Sequence, residues 1–111
     1  MEIELINYTS ALDRLGGDKE FLVELLEEMI MQLDLHYAKL VEAFQNSDFK
    51  EVHSTAHGLK GASSNLDLTR FVQLFEDLEM QSDNENVDDP DLYLTEIKKG
   101  KEELRSFIDS L

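Results

Sequence analysis

The stretch FLVELLEEMIMQLDLHYAKLVEAF, Phe21 to Phe44, carries apolar side chains at three- and four-residue steps and contains neither glycine nor proline. Phe21, Leu22, Leu25, Leu26, Met29, Leu33, Tyr37, Leu40, Val41 and Phe44 keep a period of 3.6 residues, which places them on one stripe of an α-helix rather than on alternate faces of a strand. The helix extends outward to about Lys19 and Asn46: GGD before it offers Asp18 as a cap, and NSD after it breaks the pattern. At the usual rise such a helix is roughly 40 Å long. A chain of 111 residues can build a bundle around it, but not separate catalytic and cofactor lobes.

The same periodicity continues on both sides. YTSALDRL, Tyr8 to Leu15, reads as a short first helix with Thr9 or Ser10 as its cap. Ser47 or Asp48 caps a third helix from Phe49 to about Asn65, and Thr69 caps a fourth through Phe71, Leu74, Phe75 and Leu78 to about Gln81. SDNENVDDP is an acidic loop, and Asp91 opens a last helix whose Leu94, Ile97, Leu104, Phe107, Ile108 and Leu111 face inward. Gly100 is a soft spot in that helix, since a helical glycine costs about 1 kcal/mol relative to alanine. The expected fold is all-α: an antiparallel four-helix bundle with a short additional N-terminal helix as a lid, one domain over residues 1–111.

Charge narrows the function. Twenty-five acidic against ten basic residues give a formal charge of -15, which repels nucleic acid phosphate and anionic lipid alike. There is no cysteine, hence neither a disulfide framework nor a thiolate metal site, and no apolar run approaches the roughly 18 residues of a membrane span. MEIELINYTS is acidic and lacks a basic region followed by an apolar stretch, so the expected address is the cytoplasm, and a chain numbered from methionine is expected to be free-standing.

The chemistry concentrates in AHGLKGASSN, Ala56 to Asn65. Rotation by 100° per residue puts Val52, Ala56, Leu59, Ser63 and Leu66 on a buried arc and His53, His57, Lys60 and Ser64 on a second, centred about 110° away. Gly61 flanks the second arc and Gly58 lies further round, so the glycines clear space beside one imidazole. From Val52 to Leu66 there is no Asp or Glu, where the composition would give about three, and that gap implies a local relief of negative potential around His57 and Lys60. A neutral imidazole is a nucleophile, and an ammonium one turn away can neutralise a phosphoryl oxygen.

AHGLKGASSNL resembles the signature of histidine-containing phosphotransfer (HPt) domains, approximately A-H-x-L-K-G-x-S/A-x-N-L/I-G, with matches at His57, Leu59, Lys60, Gly61, Ser63, Asn65 and Leu66. The flanking layout is similar over nearly the whole chain. Two positions depart from the pattern: Asp67 stands where the family usually has glycine, and Gly58 replaces the commoner serine or threonine. The resemblance implies that His57 is the phosphoacceptor between receiver-domain aspartates, that Lys60 holds the phosphoryl oxygens, and that Gly61 admits the partner's loops. His53, Gly58 and Ser64 are expected at the partner contact. The implied partners are response-regulator receiver domains and a hybrid histidine kinase, met by a monomer that carries no metal or cofactor, with magnesium on the receiver. It leaves open which imidazole nitrogen is phosphorylated.

Rival readings fare worse on the residues. No nucleotide-binding or kinase motif is present, which agrees with a relay having no ATPase activity of its own. HSTAH lacks the glutamate of a zinc-protease helix, and the residues three before His36, His53 and His57 are Leu33, Lys50 and Ser54, not the glutamate a di-iron bundle needs. An EF-hand register from Asp83 puts Asp88 at the glycine position and Leu94 at the glutamate position. The remaining alternative is a helical scaffold or degenerate HPt fold that only binds a partner.

Overall fold

The computed structural model describes residues 3–111, which form five helices and, among the described residues, no strand: α1 (Tyr8–Arg14), α2 (Lys19–Gln45), α3 (Phe49–Asn65), α4 (Thr69–Asp83) and α5 (Pro90–Ser110). The four long helices make an antiparallel bundle in which α3 packs between α2 and α4, and α5 between the same two on the other side. The long axis measures 42 Å, close to the length of α2 alone.

Four of the five helices start where a side chain can satisfy a free N–H group of the first turn. Asp18 accepts from Phe21 N at 3.0 Å, Asp48 from Glu51 N at 3.1 Å, and Asp89 from Leu92 N at 3.2 Å, with Pro90 in the first turn of α5. Asp48 rather than Ser47 caps α3. Three expectations are corrected. Asn7, not Thr9 or Ser10, caps α1, because its carboxamide oxygen reaches Ser10 N at 3.2 Å. Helix α4 has no side-chain cap: Thr69 is already helical, and its hydroxyl donates to Glu4 O, tying the N-terminal segment to the bundle. Helix α5 begins at Pro90 rather than Asp91, one residue earlier.

The apolar stripes meet in one core that includes Leu22, Leu26, Leu33 and Leu40 of α2, Val52, Ala56 and Leu59 of α3, Phe71, Phe75 and Leu78 of α4, and Ile97 and Leu104 of α5. Phe21, assigned to the inward stripe by periodicity, lies outside it at 45% exposure. Gly100 is not a soft spot but a packing requirement. A Cβ there would stand 2.6 Å from Phe71 Cζ, and Phe71 is itself buried and stacked on Phe75. The helix-propensity penalty at Gly100 is the condition for seating a phenyl ring against α5.

The α3–α4 turn carries the departure at Asp67. Its φ of +53° is the left-handed region that favours glycine, which explains the family's preference there. Aspartate is among the side chains that tolerate this conformation. Here it is also held on both sides: its carbonyl accepts from Asn7 N at 2.9 Å, and its carboxylate lies 3.2 Å from Arg14 Nε. The short α1 lies across this end of the bundle, with Tyr8 edge-on to Phe107 of α5.

Candidate functional site

Val52, Ala56, Leu59, Ser63 and Leu66 are all buried, so the inward arc of α3 is the one rotation gives. Their burial leaves the second arc at the surface. The His57 side chain is 69% exposed and that of Lys60 is 29% exposed. Ser64 is exposed, and its carbonyl accepts a long bond from Arg14 at the C-terminal end of α3. Gly58 and Gly61 border open space: a Cβ at either would meet nothing within 4 Å. Among the described residues no contact requires these two glycines, in contrast to Gly100.

The acid-free window of α3 does not leave a local gap in negative charge. Helix α4 supplies the missing carboxylate. Glu79 projects between the two basic side chains, its Oε1 2.9 Å and Oε2 3.1 Å from Lys60 Nζ, and its Oε2 3.0 Å and Oε1 3.2 Å from His57 Nδ1. Its side chain is only 10% exposed. The bond from Lys60, then that from His57, holds the carboxyl below its ordinary range, against the opposing effect of burial. Glu79 therefore remains a carboxylate, and a carboxylate facing Nδ1 requires that nitrogen to carry the hydrogen. The neutral ring then presents the lone pair of Nε2 to solvent.

Glu79 escaped the sequence reading because it is 22 residues from His57 on another helix. A signal was present nonetheless. Phe71, Phe75 and Glu79 follow at four-residue steps, so an acid continues an apolar track one turn past two buried phenylalanines. Ser82, also buried, donates its hydroxyl to Glu79 O at 2.8 Å and fills the end of that track.

His53 lies one turn before His57 and pairs with Asp83, one turn after Glu79. On the α2 side, a groove of about 450 Å³ runs along Leu15, Leu25, Glu28, Met29, Gln32, Ala62, Asn65 and Leu66. By helical rotation the exposed surface of α3 thus passes from Lys60 and His53 through His57 and Gly61 to Asn65, Gly58 and this groove. The arrangement offers one oriented imidazole nitrogen, one ammonium sharing its carboxylate, and open space at Gly58 and Gly61.

Comparison with known proteins agrees with that chemistry. A family model described as Hpt domain matches residues 22–110. Among curated proteins, the phosphorelay intermediate protein rdeA of Dictyostelium discoideum is 28% identical over 88 residues. That match covers 79% of this chain but 35% of the other, so the chain spans about a third of that relative's length. The crystal structure of histidine-containing phosphotransfer protein B from Pseudomonas aeruginosa aligns over 98% of this chain and 95% of that one, with a TM-score of 0.85 at 16% identity, a likeness of fold.

Proposed function

This chain belongs to the Hpt domain family, and from that premise we propose that His57 is the residue through which it performs histidine phosphotransfer in a two-component phosphorelay. The observation that carries the assignment is the Glu79 carboxylate, which holds Nδ1 of an exposed imidazole and leaves Nε2 as the nucleophile.

The step is an exchange between an acyl phosphate and a phosphoramidate. The Nε2 lone pair attacks the phosphorus of an aspartyl phosphate on a receiver; the N–P bond forms, the bond from phosphorus to the aspartyl oxygen breaks, and the receiver recovers its carboxylate. Positive charge develops on the imidazole, and Glu79 stabilises it through the Nδ1–H it already accepts. Lys60, one turn from the attacking nitrogen and tethered to the same carboxylate, turns toward the phosphoryl oxygens as they arrive. In the reverse direction a receiver carboxylate attacks phosphorus and Nε2 leaves, so the chain passes the group on without nucleotide.

The receiver meets the face made by α3 and the adjoining groove of α2. Gly61 and Gly58 let its loops approach the ring, and His53 and Ser64 lie at the edge of the contact. The chain acts as a monomer, and magnesium, in this proposal, resides on the receiver rather than here. The receivers and a hybrid kinase upstream of them are partners by chemistry, and a cytoplasmic address fits a cysteine-free chain in whose described residues no helix is long and apolar enough to cross a membrane.

The decisive experiment transfers labelled phosphate from phosphorylated receivers to the wild type and to His57→Gln. Acid-labile, alkali-stable label on the wild type alone is the expected result. A folded wild type that takes no label from any receiver sinks the relay and leaves the scaffold reading.

A further inference from the structure

Helices α3 and α4 are joined by two acid–imidazole rungs, of which the reaction above uses one. Because the helices run antiparallel, the step from His57 back to His53 matches the step from Glu79 forward to Asp83. The two rings lie parallel, 4° between planes, with centroids 6.2 Å apart. Yet the rungs differ in balance. Glu79 is nearly enclosed and shared with Lys60, whereas Asp83 is 61% exposed and its one ion-pair partner among the described residues is His53. Oδ1 of Asp83 lies 2.7 Å from His53 Nδ1 but off the line of a hydrogen bond, so this buried nitrogen has a carboxylate beside it without a directed bond.

Charge counting gives the second rung a task. With a neutral ring at His57, the upper rung sums to zero, Lys60 against Glu79. A phosphoryl group on Nε2 adds about two negative charges to a chain whose formal charge is already -15. Lys60 and Lys50 are already cationic and can add no further charge. His53 is the adjacent group that can answer with a proton.

We propose that His53 is a proton-linked positioning residue for the phosphorylated state: phosphorylation of His57 draws one proton from solvent onto the His53 ring, and the imidazolium, anchored on Asp83, stabilises the phosphoryl group. No bond to phosphorus changes in this step. The inference rests on His57 as phosphoacceptor. The charged and titratable groups around His53 are Lys50, His57 and Lys60 from α3, Glu79 and Asp83 from α4, and Glu85 from the loop after α4; Lys50, Asp83 and Glu85 line with it an open cleft of about 450 Å³ through which solvent delivers the proton. Asp83 and Glu85 favour the imidazolium and Lys50 opposes it. Linkage is reciprocal: if the phosphoryl group raises the affinity of His53 for a proton, that proton raises the stability of phosphohistidine by the same factor.

The test follows the imidazole signals of the full chain by NMR across pH, before and after phosphorylation with phosphoramidate, a small donor that needs no receiver. The titration midpoint of His53 is expected to rise by about one pH unit on phosphorylation, equivalent to about tenfold in proton affinity. The matching functional readout is the phosphoryl exchange equilibrium with a receiver between pH 6 and pH 8. Phosphohistidine and the receiver bring their own pH dependence, so the quantity that counts is the difference between wild type and His53→Gln. The wild type should favour the phosphohistidine side up to about tenfold more strongly at pH 6 than the variant does, and converge with it at pH 8. An unmoved His53 midpoint on a chain phosphorylated at His57, or identical pH dependence in wild type and variant, overturns the inference and leaves the phosphoacceptor assignment standing. Phosphorylation at a residue other than His57 overturns both.

Discussion

Helix α4 lies between two glycine-bearing helices and meets them in opposite ways. Toward α5 it presents Phe71, and the ring fills the place that a side chain at position 100 would occupy. Toward α3 it presents Glu79, which bridges His57 and Lys60, while Gly58 and Gly61 on the outer side of α3 face empty space. Each glycine costs its helix about the same, roughly 1 kcal/mol relative to alanine. At Gly100 that cost is offset inside the molecule, by close packing of an aromatic ring. At Gly58 and Gly61 nothing among the described residues offsets it. The return must come from something that approaches from outside, and in the proposed relay that is a receiver docking beside His57.

The comparison is broken most severely by removing the polar link. Glu79→Ala frees Nδ1 to exchange its hydrogen with Nε2 and leaves Lys60 without its tether. For a metal-bound imidazole, loss of the partner that holds its other nitrogen lowers activity on the order of 10- to 100-fold, and the same order is expected for His57 in the proposed relay. Phosphotransfer measured by rapid quench should fall by that amount, while receiver binding changes little; equal transfer by the variant would remove Glu79 from the mechanism.

Next comes the filled contact. Gly100→Ala gains about 1 kcal/mol of helix propensity but forces the Phe71 ring away, and overpacking of a dense core costs about 1–3 kcal/mol. Phe71 is the far end of a side chain, yet it is stacked on Phe75 and buried, and the void beside it is only about 30 Å³, which limits its retreat. A net loss of about 1–2 kcal/mol in urea unfolding is expected, with transfer per folded molecule unchanged.

These two sites also mark how far the sequence could be read. Helical periodicity requires only local information, so Leu22, Leu26, Val52, Ala56, Phe75 and Leu104 fall on inward stripes without knowledge of any neighbour. The His57–Lys60 spacing is likewise local to one helix. Glu79, Asp83 and the Gly100–Phe71 contact are relations between helices, and nothing in the periodicity of one helix states which residue of the next stands opposite. The same holds for Asn7 and Thr69: the choice of cap at α1 and the absence of one at α4 follow from how the N-terminal segment lies against the α3–α4 turn. Charge along the chain misled for this reason. The acid-free window of α3 is real, but in space its carboxylate comes from α4.

The open glycines give a smaller effect of opposite sign. Gly61→Ala meets no neighbour within 4 Å, so the added methyl should stabilise the helix by roughly 0.5–1 kcal/mol. If the space is reserved for a receiver, the same substitution slows transfer, by an expected several-fold and through weaker receiver binding. A variant that is more stable and fully active would mean that the space has no occupant, and the contrast with Gly100 would lose its functional half.

The smallest effect lies in the acid limb of stability and isolates the charge at Glu79 from its shape. Its carboxyl is held below the ordinary value of 4.5, chiefly by the bond from Lys60 and next by that from His57. The unfolded chain therefore binds this proton more readily than the folded one, and stability rises with pH across the interval between the two values. The contribution is fully present above the unfolded value and is lost as pH falls through the folded one. Glu79→Gln keeps the volume and removes the titration, so its disadvantage relative to wild type should be present at neutral pH and shrink below about pH 4.5. Lys60 and His57 remain partly or largely exposed, which limits the size of the effect through solvent screening. Parallel stability curves for the two proteins down to pH 3 would show that Glu79 serves the fold through packing, and that its charge matters only to the ring it orients.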